Sequence, residues 1–233
     1  MGLSNQIGAS SLIKPGVVDS AAARPASPYE GQVIFQKDTD QLLVWNGTAW
    51  VIPNSPAQNP QGLELVTTTT CSSGGTASGG VVTFGSAQSS VVIATAFSST
   101  YDNYKIVITG AVHSNPSANF FLALSGITSG YATTCWFAVP GTNTYSADSS
   151  TSYSSGWIGL TGNPSSHSVE MWGPYQSISK SWSSDYTARH SSSYLGKGMA
   201  TNASTTQSTG FTLSFSSGTV TGGTLRVYGY RNS

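Results

Sequence analysis

Beyond residue 62 the chain is a succession of short β-branched and aromatic runs, each closed by glycine, serine or asparagine. The runs are Leu63 to Thr70, Gly80 to Phe84, Val91 to Phe97, Tyr104 to Val112, Phe120 to Leu124, Thr133 to Val139, Gly156 to Leu160, Ser168 to Trp172, Phe211 to Phe215 and Thr224 to Tyr230. Runs this short, recurring every 10 to 15 residues or so, suit the strands of a sandwich or jelly roll and leave no room for helices. The last two alternate strictly, as Phe211-x-Leu213-x-Phe215 and Leu225-x-Val227, so each is expected to bury one face. Glycine is abundant and the helix formers Glu, Lys, Arg and Met are sparse. The expected fold class is all-β, with a jelly-roll-like β-sandwich over residues 63–233.

The first part of the chain reads differently. Residues 1–27 carry Gly2, Gly8, Pro15, Gly16 and Pro25 between the apolar pairs Leu12-Ile13 and Val17-Val18, which predicts an extended arm ordered against another surface. Residues 28–52 predict a three-stranded β-meander: Val33-Ile34-Phe35, then Leu42-Leu43-Val44-Trp45, then Trp50-Val51-Ile52. Its second turn, Asn46-Gly47, has the composition of a type I′ hairpin. A module of about 25 residues cannot bury enough apolar surface to stand alone, so it should dock. Residues 53–62, with Pro53, Pro56 and Pro60, predict a linker.

Only 8% of residues are charged, nine basic and nine acidic, so no net field attracts nucleic acid or an anionic membrane. No apolar run is long enough to span a bilayer as a helix. The start, Met1-Gly2-Leu3-Ser4-Asn5-Gln6, lacks the basic and apolar regions of a signal peptide, and synthesis in a host cytoplasm without secretion is expected. Cys71 and Cys135 lie far apart, predict unbridged thiols, and have no metal-ligand spacing around them; neither a metal nor a cofactor is expected.

No motif for catalysis stands out, and no catalytic residue is assigned. The nucleophile-elbow pattern is absent, and His113, His167 and His190 sit among Ser, Asn or Arg as expected surface residues. Glycoside hydrolysis needs two carboxyl groups across a cleft, and the candidates are Glu64, Glu170, Asp102, Asp148 and Asp185. Asp38-x-Asp40 starts like a calcium loop but meets Leu43 and Ala49 where Gly and Glu are required, and reads as a hairpin turn.

One stretch is rich in rings. Trp172, Tyr175, Trp182, Tyr186 and Tyr194 lie with Arg189 among short polar residues, a composition suited to stacking on a pyranose. The same rings would equally fill a sandwich core or a subunit interface.

Two segments carry a family resemblance. The stretch from Ala23-Arg24-Pro25-Ala26-Ser27-Pro28-Tyr29-Glu30-Gly31-Gln32-Val33-Ile34-Phe35 through Val44-Trp45-Asn46-Gly47-Thr48-Ala49-Trp50 resembles the small module near the N-termini of many tailed-bacteriophage fibre and structural proteins, especially those of marine phages. Phe97-Ser98-Ser99-Thr100-Tyr101-Asp102-Asn103-Tyr104 and Gly223-Thr224-Leu225-Arg226-Val227-Tyr228-Gly229-Tyr230 are similar to C-terminal domains of the same group. The resemblance implies a non-enzymatic component of the virion surface, a homo-oligomer and specifically a trimer, either a short tail fibre or a capsid head-fibre or decoration protein. Attachment to other virion proteins would fall to Leu12, Ile13, Val17, Val18, Arg24, Tyr29, Phe35, Trp45 and Trp50. The C-terminal domain would project, and the ring-rich stretch 172–194 is the candidate site for host-surface glycan; a head-fibre or decoration protein would have no receptor role, and a glycan depolymerase is the enzymatic alternative. No heptad or shaft repeat joins the two parts, which favours a compact knob over a long fibre.

Overall fold

The computed structural model describes residues 16–53, 62–139, 144–189 and 193–231. The chain divides into two compact units, Met1–Pro60 and Gln61–Ser233.

The first unit is a four-stranded sheet of β1 (Gly16–Val18), β2 (Val33–Gln36), β3 (Gln41–Trp45) and β4 (Trp50–Val51), in that order. The sequence reading expected three strands and an extended arm. Instead, Val17 and Val18 of that arm pair in parallel with Phe35 and Gln36. A parallel pair needs a crossover of a dozen or more residues, which residues 19–32 supply, with a 3-10 turn at Ala21–Ala23 inside it. The Asn46-Gly47 turn also departs from expectation. Gly47 has φ +92° but Asn46 is not left-handed; its side chain accepts the Thr48 and Ala49 amides at 3.0 and 2.8 Å, replacing the type I′ geometry. Residues 1–15, with Leu12 and Ile13, and most of the linker lie outside the described residues.

The second unit contains β5 (Leu63–Leu65), β6 (Thr70–Ser73), β7 (Gly75–Ser78), β8 (Val81–Phe84), β9 (Ser90–Thr95), β10 (Asn103–His113), β11 (Asn119–Leu124) and β12 (Tyr131–Val139). These are followed by β13 (Thr144–Tyr153), β14 (Gly156–Leu160), β15 (Ser165–Trp172), β16 (Lys180–Arg189), β17 (Ser193–Asn202), β18 (Phe211–Phe215) and β19 (Val220–Tyr230). Eight of them, β8, β9, β10, β11, β14, β15, β18 and β19, form two four-stranded layers in the orders β8-β19-β10-β15 and β9-β18-β11-β14. Numbered one to eight along the chain, these are 1-8-3-6 and 2-7-4-5, the strand order of a jelly roll. Two inserted hairpins, β12-β13 and β16-β17, add to the first layer beyond β15 and produce the run β13-β12-β17-β16-β15-β10-β19-β8-β7.

Alternation decides what lies between the layers. Tyr104, Ile106 and Ile108 of β10, Val169 and Met171 of β15, Leu225 and Val227 of β19 face Phe120, Leu122 and Leu124 of β11, Ile93 of β9 and Phe211 and Leu213 of β18, and all are buried. Strand β14 sits unusually close to β16 because it is glycine-rich: a Cβ on Gly156 would come within 2.3 Å of the Trp182 ring. Among the described residues no helix is long and apolar enough to cross a membrane.

Candidate functional site

In β16 the sequence Lys180-Ser-Trp182-Ser-Ser184-Asp-Tyr186-Thr-Ala188 places every second residue inward. Trp182 and Tyr186 are therefore core residues, 2% and 4% exposed, and not sugar platforms. The Trp182 Nε1–H donates to the Trp157 carbonyl at 3.2 Å, and the Tyr186 hydroxyl lies 3.6 Å from Cys135 Sγ. Burial pushes the Tyr186 phenol far above its usual range, with Cys135 acting in the same direction. The proposed ring cluster is thereby split. Trp172 is exposed on the outer face of the large sheet, Tyr175 packs half-buried against the main core, Arg189 is exposed at the end of β16, and Tyr194 points inward with Phe137, 5.5 Å away.

The histidines also differ from expectation. His113 and His167 are each 2% exposed, because both stand at inward positions of β10 and β15. The His167 ring stacks on Tyr186 at 5.5 Å and meets Phe120 edge-on; its Nδ1–H donates to the Ile158 carbonyl at 3.2 Å. Burial lowers its pKa to about 4, only partly offset by that carbonyl. His190 lies outside the described residues. Cys71 is half-buried, Cys135 is buried, and no disulfide joins them.

What β16 and its neighbours turn outward forms a groove of about 680 Å³. Its main row follows the register across five strands, with Val107 of β10, Ser168 of β15, Asp185 of β16 and Trp136 of β12 lining the groove and Lys197 of β17 standing in register between the last two, beside the lining. At about 4.8 Å per strand the row is roughly 19 Å long. Beside it runs a second row, Ser166, Thr187, Leu195 and Ala138. Trp136 and Leu195, diagonal neighbours on β12 and β17, are 39% and 49% exposed at one end of the groove, and toward β10 the lining passes to the shorter Thr187, Ser166, Ser168 and Val107. Lys197 Nζ bonds Asp185 Oδ1 at 2.6 Å, so the carboxylate that lines the groove is neutralised by a cation beside it.

No family model, curated protein or solved structure matches the chain.

Among the described residues Asp185 is the one carboxylate lining this groove. The remaining candidate carboxylates are engaged elsewhere. Glu170 receives Lys105 Nζ at 2.6 Å and the Tyr230 hydroxyl, Glu64 receives Arg231, and Asp102 accepts from Gln176. The side chain of Asp148 lies outside the described residues. Sequence reading missed Trp136, Leu195 and Lys197, although each is the outward partner in a strand whose inward residues alternate with it. The signal was parity, and it could be used only once the register of five non-consecutive strands was known.

The first unit presents a different surface. Its named residues divide between two faces. Val17, Phe35 and Leu42 form one cross-strand row, followed by Val33, Val44 and Val51 on the same face. Val17, Leu42 and Val51 are 59%, 43% and 37% exposed. Ile34 and Leu43, both buried, lie on the opposite face with Trp45 and Trp50, whose rings meet edge-on at 5.7 Å. Val18 belongs to this second face and is half-buried, while Tyr29 stands clear of both strands and is exposed. Arg24 is tied inward, its Nε donating to the buried Gln36 at 2.7 Å.

Proposed function

We propose that the protein is a structural component of a tailed-bacteriophage particle, attached through its first unit and projecting its jelly roll as a compact knob. The observation that carries this reading is the two-faced apolar character of the small sheet. Val33-Ile34-Phe35 and Leu42-Leu43-Val44-Trp45 do not alternate, and strands of that kind belong inside a protein with both faces covered. In the described residues of the first unit, however, only Ile34 and Leu43 are fully buried among the apolar side chains, and the row Val17, Phe35, Leu42 lines a face with three exposed members. A sheet of this size gains stability from a partner surface, and one supplied by another virion protein would make it an anchor. The resemblance of residues 23–50 to phage attachment modules supports the same assignment.

The test is incorporation. Leu42→Glu combined with Val51→Glu changes two exposed positions and should leave the melting of the purified chain nearly unaltered. Particles produced with this variant should lack the protein by immunoblot, while particles produced with the native chain carry it. Equal incorporation of the two would overturn the proposal.

A further inference from the structure

We infer that the groove on the outer face of the large sheet is a binding site for a neutral oligosaccharide. This goes beyond the attachment role above and does not depend on it, since the groove belongs wholly to the second unit.

The argument begins with charge. Asp185 and Lys197 compensate each other at 2.6 Å, so the groove offers no net attraction to an anionic or cationic ligand. Yet the pair remains accessible, with side-chain exposures of 69% and 38%. Asp185 Oδ1 is occupied by Lys197, leaving Oδ2 to accept, and the ammonium keeps further N–H donors. A strong acceptor and a strong donor thus stand side by side. Two adjacent sugar hydroxyls offer the complementary arrangement, one donating and the other accepting, and hydrogen bonds to charged groups are the stronger kind.

Stacking comes next. Trp136 follows Lys197 in the same row and is partly exposed, as a platform for the apolar face of a pyranose must be. Ser168 and Thr187 flank Asp185 and supply uncharged hydroxyls along the path. The resulting surface is mostly apolar with a few fixed polar points, which is the composition of a small-ligand site. A second protein fits less well. A stable interface buries about 800 Å² per partner around a continuous apolar centre, and Trp136 and Leu195 are the only large exposed apolar residues lining this groove among those described.

The test uses the whole chain and four defined probes: maltotriose, cellotriose, triacetylchitotriose and the acidic sialyllactose. Tryptophan fluorescence and proton NMR should show saturable binding of at least one neutral trisaccharide, unchanged on raising the salt concentration. Trp136→Ala and the isosteric Asp185→Asn should each weaken it by about tenfold or more, and Trp172→Ala, on the same face but outside the groove, should leave it intact. Melting curves of all three variants verify the fold. The inference is overturned if none of the neutral probes binds, if sialyllactose binds in preference to them, or if Trp136→Ala and Asp185→Asn bind like the native chain. It is equally overturned if the native chain is an oligomer that Trp136→Ala converts to monomer, because the groove would then be a self-interface. None of these outcomes bears on incorporation into particles, which is read separately.

Discussion

Gly159 lies directly against the ring of Tyr186: a Cβ on the glycine would approach Tyr186 Cδ1 to 2.4 Å. Its φ of +138° is also one that L side chains rarely adopt. The inserted hairpin β16-β17 can therefore pack on β14 only because position 159 carries no side chain. Gly159→Ala should cost about 3 kcal/mol through overpacking, read as a lower denaturation midpoint at unchanged m-value. An unaltered midpoint would show that the contact yields freely.

The two tryptophans at either side of the turn 173–179 should respond in opposite ways. Trp182 is buried and hydrogen-bonded, so Trp182→Ala should cost about 4 kcal/mol. Trp172 is 44% exposed, and Trp172→Ala should change stability by no more than about 0.5 kcal/mol. Chemical denaturation of both variants gives the comparison directly.

Stability should fall in mild acid. His167 has its pKa lowered by burial to about 4 from an ordinary 6.5, so between these values the unfolded chain binds a proton that the folded chain refuses. Stability is then greatest above pH 6.5 and declines as the pH drops toward 4, by roughly 3 kcal/mol for a fully buried imidazole. Burial lowers His113 as well, and its effect has the same sign. His167→Phe should flatten the pH dependence of the melting temperature over this window; a slope equal to that of the native chain would assign it to other groups.

The C-terminal strand should be indispensable. Strand β19 lies between β10 and β8 in the middle of the large sheet, with Leu225 and Val227 fully buried. Ending the chain at residue 222 should give insoluble or molten protein without near-ultraviolet circular dichroism. A soluble product with native spectra would contradict this placement.

The legible parts of the fold were the runs whose apolar residues speak for themselves. Phe211 to Phe215 and Thr224 to Tyr230 were readable as β18 and β19, and the same holds for the cores of β9, β10 and β11. Strands β13, β16 and β17 were not, because Ser, Thr, Gly and Lys fill their positions and local hydrophobicity says little. The aromatic residues of β16 consequently looked like a cluster on one surface. In fact Trp182, Tyr186 and the buried Lys180 share the inward parity, and period-two counting from Lys180 would have shown this. The groove was less accessible still, since its row joins residues 107, 168, 185, 197 and 136, whose adjacency is a product of topology alone.

The inserted hairpins carry a constraint on how this jelly roll can change. Strand β12 pairs with β17 over eight consecutive positions, so the hairpin inserted after the fourth jelly-roll strand rests on the one inserted after the sixth. Neither is an independent ornament. Removing the β16-β17 hairpin would strip β12 of its neighbour and of the two strands that join it to β15, and removing β12-β13 would leave β17 as a raw edge. The two must lengthen or shorten together, so variation in knob width within any lineage of such chains should arrive as paired insertions on either side of β14 and β15 in sequence, never as one alone.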